Sequence, residues 1–397
     1  MSSITREKLN QAVELVSASG VAVWLTFVRE TALGGDPVLP LLIQGGLTWQ
    51  SALMVSASGK KVAVVGNYDA DPLKESGDWD LVVPYVQGIK TPLLEQLEAL
   101  VPLGGTIAVN YSTNDVKADG LSHGMFLLLQ SYVAGTRFES SLVSAESIVM
   151  TLRGVKTSIE LACMMSAIAE TDLLFDEIEK FAKIGTSERA VYDMVHRRVR
   201  DRGLGFSWDP AGDPIVNTGP ASMIGHGIPS SIITLASGHI FHIDLGVIRN
   251  GYSSDIQRCW YVSDTESTSP QDVVSAFDAV NGALSAGAAA LHAGALGFEV
   301  DAAARSFLIA AGYDEYLHAL GHQVGRVAHD GGAILGPKWE RYGSTPTIPV
   351  KAGEVYTLEL GVLVPGRGYL GIEEMVVVTE QGSEWLSKRQ LTLPIIG

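Results

Sequence analysis

Two aspartates, Asp244 and Asp255, stand eleven positions apart in HIDLGVIRNGYSSDIQR (242–258), a stretch otherwise rich in β-branched and aromatic residues. The Asn250-Gly251 pair inside it is a turn signal, so two strands fold back there and bring both carboxylates together. Two bare carboxylates side by side repel. A divalent cation, or a pair of them, relieves the repulsion and keeps the acids ionised. One such pair alone is as readily a solvated or capping pair, so further donors decide the reading. They follow downstream. GHQVGRVAHD carries His322 and His329 in a glycine-flanked loop, where backbone and imidazole can approach a ligand closely. YTLELGV carries Glu359 and GIEEMVVV carries Glu373 and Glu374, each an acid inside an apolar strand, where an unpaired charge is costly.

The elements that hold these residues divide the chain of 397 residues in two. Up to about residue 147, short β runs (VAVWLTFV, SALMVSA, KKVAVVG, TIAVNY) alternate with helical periodicity in TREKLNQAVELVSAS and TPLLEQLEALV, which predicts a small α/β domain over 1–147. From 148 to 397 a long helical segment begins at IELACMM, and a second follows the start signal GTSE. Strands are expected at PIVNTG, HIFHIDLGV and YSSDIQRCWYV, two helices within 270–312, and closing strands at VYTLELGVLV and GIEEMVVVT. Helix pairs flanking a mostly antiparallel sheet give an α+β second domain.

Composition excludes several function classes. With 46% apolar residues the chain can build real cores, while a formal charge of −16 and no Lys/Arg stripe disfavour nucleic acid and anionic membrane as partners. The start, MSSITREKLNQAVELV, lacks the layout of a secretory signal, and no apolar run approaches spanning length, so a soluble cytoplasmic protein is expected. Cys163 and Cys259 have neither metal-site spacing nor disulfide density and are expected to be buried free thiols.

In order and spacing these residues resemble the metallopeptidase superfamily of methionine aminopeptidase, aminopeptidase P and prolidase, over roughly residues 150 to 380. The family pattern of Asp, Asp eleven on, a GHxxGxxxH segment, and two Glu fourteen apart fits Asp244, Asp255, His322 with His329, and Glu359 with Glu373. GHGIPS supplies His226, matching the histidine that precedes the first metal-bearing strand, and VKTSIELACMM resembles the family's leading helix. The resemblance implies a pita-bread catalytic domain, a curved and mostly antiparallel sheet flanked by helices. The α/β domain before it is similar to that of the creatinase, prolidase and aminopeptidase P branch.

It implies two divalent metal ions, Mn²⁺ first and Co²⁺, Zn²⁺ or Fe²⁺ as alternatives, on Asp244, Asp255, His322, Glu359 and Glu373. Bridged metals acidify a shared water that attacks the scissile amide, with Glu359 as general base and His226 and His329 binding the carbonyl oxygen or passing a proton. The substrate class it implies is a small peptide with an Xaa-Pro bond, and the assembly a homodimer. Three departures surround the substrate, not the metal set: Leu360 in place of the proline after Glu359, Asp330 for the glutamate after His329, and Gly371 for the arginine two before Glu373. Arg326 stands where the family has an apolar residue and is the candidate to bind a substrate carboxylate in that arginine's stead, unless it pairs with Asp330. A creatinase-like hydrolase or lyase of a small amino-acid derivative, and a non-catalytic binding protein, are the alternatives on the same fold.

Overall fold

A computed structural model describes residues 4–225 and 227–397. They form two compact units, Met1–Arg153 and Gly154–Gly397. The division falls at the C-terminal end of the Glu146–Gly154 helix, whose Ile148, Val149 and Leu152 are buried in the core of the first unit.

The first unit is a six-stranded mixed sheet with helices on both faces. Its central strand, Val23–Val28, is antiparallel to Ser51–Ser56 and parallel to Ile107–Val109. Side chains alternate across such strands, so one face buries Trp24 with Leu9, Ala12 and Val16 of the first helix. The other buries Val23, Leu25 and Phe27 with Leu93, Leu97, Met125 and Leu129 of two more helices.

The second unit opens with the Ser158–Phe181 helix. Thr157 caps it by accepting from the Glu160 amide (3.4 Å), while the Glu160 carboxylate accepts from the Thr157 amide (2.7 Å), a reciprocal capping box. Met164, Ala167, Ile168, Thr171, Leu174, Phe175 and Ile178 recur at helical spacing and are buried. This buried stripe fixes the hairpin between the two aspartates: Thr171 Oγ1 lies 2.7 Å from Ser254 Oγ, and the Tyr252 hydroxyl donates to Glu160 Oε1 at 2.8 Å. The turn is Asn250-Gly251, both with positive φ (52° and 77°), as a two-residue hairpin loop requires.

The main sheet of this unit runs, in spatial order, through Val355–Val364, Gly368–Val378, Ile256–Val262, Ile240–Leu245 and Ile215–Thr218, all antiparallel, with Ser383–Trp385 and Ile395–Ile396 added at the side. Leu358, Leu360, Ile372 and Val376 sit on the face that the Gln271–Ala290 helix covers. That helix is long and apolar enough to cross a membrane by composition, alone among the described residues, yet Val273, Phe277, Val280 and Leu284 are buried in this core. Cys259 is buried as expected, whereas Cys163 is half-buried.

The loop carrying His322 runs alongside the Val355–Val364 strand. The Glu359 amide donates to Leu320 O (2.7 Å), the Thr357 amide to His322 O (2.9 Å) and the Val324 amide to Val355 O (3.0 Å). Such an approach leaves no room at Gly321, where a Cβ would lie 1.9 Å from Thr357 O. Gly321→Ala is therefore expected to lower stability by about 2–4 kcal/mol, since a backbone atom must move. An unchanged melting temperature would show that the loop can shift freely.

Candidate metal centre

The strand register sets three acids and one amide in a single row. Asp244 lies directly opposite Gln257, Gln257 opposite Glu373, and Glu373 opposite Glu359. Directly opposed residues share a face, so four adjacent strands each contribute one polar group to one line. Asp255, two residues before Gln257, projects from the same face. From the neighbouring loop His322 turns Nε2 toward Asp255 Oδ2 (3.7 Å) and Glu359 Oε1 (3.6 Å). Asp255, His322 and Glu373 each offer a ligand atom, all within 4.8 Å of one another.

The electrostatics of this row are those of a cation site. Burial, and then the Glu359 carboxylate, raises Asp244 well above the ordinary carboxylate range; burial and the surrounding acids do the same to Asp255 and Glu373. Asp244 Oδ1 and Glu373 Oε2 are buried with no hydrogen-bond partner among the described residues. Burial, then His329, pushes His322 down to about 3, so the imidazole is neutral. Its Nδ1 faces Gln323 O at 3.4 Å. The Nε2 lone pair is thereby aimed at two carboxylates, an arrangement that a shared cation resolves and that no hydrogen bond at 3.6–3.7 Å does. The donor set is four carboxylates and one imidazole, which fits divalent first-row metals with an oxygen preference.

Glu374, the neighbour of Glu373, points to the opposite face and is fully paired: Arg258 Nη2 lies at 3.1 Å, and Ser387 Oγ and the Gln390 amide donate to it at 2.5 and 2.8 Å. Strand alternation thus assigns one acid of the Glu-Glu pair to each face. His329 is exposed, its ring edge-on to His322 with centroids 4.2 Å apart. His226 lies outside the described residues. Arg326 is engaged at the hairpin turn, with its guanidinium 5.3 Å over the Tyr252 ring and close against Gly251. It does not pair with Asp330, which faces the buried Lys156 ammonium at 3.6 Å.

Four residues of the site escape a reading of spacing. Gln257 donates from Nε2 to Glu359 Oε2 (3.0 Å) and meets His242 Nε2 through Oε1 (3.0 Å), while His242 Nδ1 lies 3.3 Å from Asn217 Oδ1. Burial pushes His242 down to about 4. Tyr369 packs edge-on against His242. Asp213, buried behind Asp244, accepts from the Ser207 and Gly246 amides at 3.0 and 3.4 Å. The one sequence signal among them is the two-residue step from Asp255 to Gln257, which places both on one face; the cross-strand partners depend on register.

Comparison with known proteins agrees with this geometry. The model of metallopeptidase family M24 matches residues 162–380. The chain is 29% identical over 259 residues to an uncharacterised peptidase, YqhT, of Bacillus subtilis (65% of this chain, 69% of that one). It is 29% identical over 250 residues to the Xaa-Pro dipeptidase of Pyrococcus furiosus (62% and 67%). Among solved structures, dipeptidase PepE from Mycobacterium ulcerans superposes with a TM-score of 0.74 at 25% identity, covering 99% of this chain and 98% of that one. The second unit has the pita-bread fold of these neighbours. With more than half its length matched, the chain belongs to metallopeptidase family M24.

Proposed function

We propose that this protein hydrolyses Xaa-Pro peptide bonds with two divalent metal ions held by Asp244, Asp255, His322, Glu359 and Glu373. The observation that carries the reading is the convergence of Asp255, His322 and Glu373 within 4.8 Å, in a row that Asp244 and Glu359 extend. Four oxygen donors to one nitrogen favour Mn²⁺, ahead of Co²⁺, Zn²⁺ or Fe²⁺. When bound, the metal pair supplies Lewis acidity toward the scissile carbonyl and the attacking water. Preference for proline is carried over from the relatives named Xaa-Pro dipeptidase and putative Xaa-Pro aminopeptidase.

The chain's own groups do the proton work and the positioning. Glu359 accepts a proton from the attacking water and returns it to the leaving amine. Gln257, donating to Glu359 Oε2, fixes the plane of that carboxylate. His329 donates to the carbonyl oxygen as negative charge develops there, a role the family pattern also gives His226. The first unit, an α/β layer structure, acts as the creatinase- and prolidase-like N-terminal domain of a cytoplasmic homodimer, a reading supported by the branch resemblance and by a mean hydropathy of +0.20.

Three outcomes test the reading. First, metal-stripped wild type should gain about 2.7 kcal/mol of stability from Mn²⁺ at a hundredfold above its Kd. Asp255→Asn should lose that gain yet melt no lower than wild type without metal, because it removes a like charge from the row. An undiminished metal shift in Asp255→Asn, read by calorimetry, would sink the ligand assignment. Second, chelation should abolish cleavage of Ala-Pro peptides, and Glu359→Gln should cut kcat by about 10²–10⁴. Full activity after metal removal excludes the mechanism. Third, sedimentation at micromolar concentration should find a dimer; a monomer alone overturns that part.

A further inference from the structure

The side of the acid row next to Gly361 and Gly371 is closed by an aromatic ring. The two glycines lie directly opposite each other, and Tyr369, two residues before Gly371 on the same strand, shares their face. Its ring fills the space both would use: a Cβ at Gly361 would lie 2.4 Å from Tyr369 Cζ, and one at Gly371 2.6 Å from Cε1. That same Cβ at Gly371 would also stand 2.9 Å from Gln257 Oε1 and from His242 Nε2. A longer side chain, an arginine above all, has no place at 371 while Tyr369 lies there. The ring nitrogens of His242 face Asn217 Oδ1 and Gln257 Oε1, and Gln257 gives its amide N–H to Glu359.

The guanidinium groups that border this region are committed elsewhere. Arg326 lies over Tyr252 at the hairpin turn. Arg258 projects to the opposite face, where Nη2 meets Glu374 and Lys388 O and Nη1 meets Gln257 O and Glu373 O. The charges acting most strongly on Asp244, Asp255 and Glu373 are other carboxylates. Two divalent ions on Asp244, Asp255, Glu359 and Glu373 would bring the ligand set to zero net charge, with no surplus for an incoming anion. A dipeptide carries its carboxylate one residue from the scissile nitrogen, ~3.5 Å of chain, and cannot keep it out of this zone. There it would be partly desolvated beside acids, without a guanidinium or ammonium partner among the described residues.

We propose that Tyr369, lying over the Gly361–Gly371 pair, is a specificity-determining wall that selects substrates uncharged next to the scissile bond: amidated or C-terminally extended peptides over free-acid dipeptides. The proposal rests on the peptide-hydrolase reading of the same metal centre. An amide or a further peptide unit carries no charge to desolvate at the wall, whereas a terminal carboxylate does.

The test compares Ala-Pro with Ala-Pro-NH2, and Ala-Leu with Ala-Leu-NH2, on the Mn²⁺-loaded wild-type protein. The amide should exceed the acid at least tenfold in kcat/KM in every pair that is cleaved; acids matching or exceeding amides overturn the proposal. Loss of proline preference would appear as equal cleavage of the two pairs and leaves the acid-to-amide ratio readable. If none is cleaved, the peptidase reading falls, and calorimetric binding of the same four compounds gives the ratio, with tighter amides supporting the wall and equal or absent binding overturning it. A second arm combines Tyr369→Gly with Gly371→Arg, which removes the nearest obstacle at 371 and leaves Gln257 Oε1 and His242 Nε2 to shift by a few tenths of an ångström. That variant should lower the amide preference at least tenfold, and an unchanged ratio in a folded double variant overturns the assignment to this wall.

Discussion

Like charges held in register on one sheet face are the constraint around which the second unit is built. Asp244, Glu373 and Glu359 stand in one cross-strand row with strands about 4.8 Å apart, and Asp255 and His322 close over it. Without a cation each carboxylate disfavours ionisation of the next, so the row opposes folding. The opposite face supplies the counterweight. Leu358, Leu360, Ile372 and Val376 are buried under the Gln271–Ala290 helix, and Arg258 ties Glu374 to backbone oxygens of two strands. One face of the same strands is thus stabilised so that the other can be kept electrostatically unfavourable until a metal arrives. A site built this way is a strong cation trap because protein and ion each relieve what the other lacks.

What the sequence shows of this is the inventory, and what it hides is the register. Asp244, Asp255, His322, Glu359 and Glu373 stand out because acids in apolar strands and histidines in glycine loops are improbable without partners, and their spacing carries the family resemblance. The Asn250-Gly251 turn is equally legible, since a two-residue hairpin needs positive φ at both positions. A two-residue turn at 250–251 pairs 249 with 252 and hence Asp244 with Gln257, which leaves Asp255 one step along the same face. The pairing of this hairpin with the distant Gly368–Val378 strand has no such local signal, and a one-residue slip there would send every side chain to the other side. Gln257, His242 and Tyr369 read as ordinary strand residues for the same reason.

The first unit fails to be legible in a different way. The Leu81–Tyr85 strand contains Pro84, which removes a ladder donor and argues against a strand in any central position. It is tolerated because this strand is the sheet's edge, a fact of topology and not of composition. The three-residue Leu142–Ser144 strand on the other edge is too short to show a period. The division of units falls at the C-terminal end of the Glu146–Gly154 helix because its apolar residues complete the core before them.

Second-layer groups decide how the row can act. Gln257 cannot rotate without breaking its contact to Glu359 or to His242, and His242 is in turn held by Asn217, whose Nδ2 donates to Met223 O at 2.8 Å. Gln257 Oε1 and Asn217 Oδ1 face the two ring nitrogens of His242, and a neutral imidazole donates to one of them at a time. Each member is a neutral amide or imidazole. A charged group in their place would bind a ligand carboxylate, but it would also compete with the metal for Glu359 and Glu373. Neutral donors in these positions do not compete with a metal for Glu359 and Glu373, and Tyr369 occupies the space that a side chain at 371 would need.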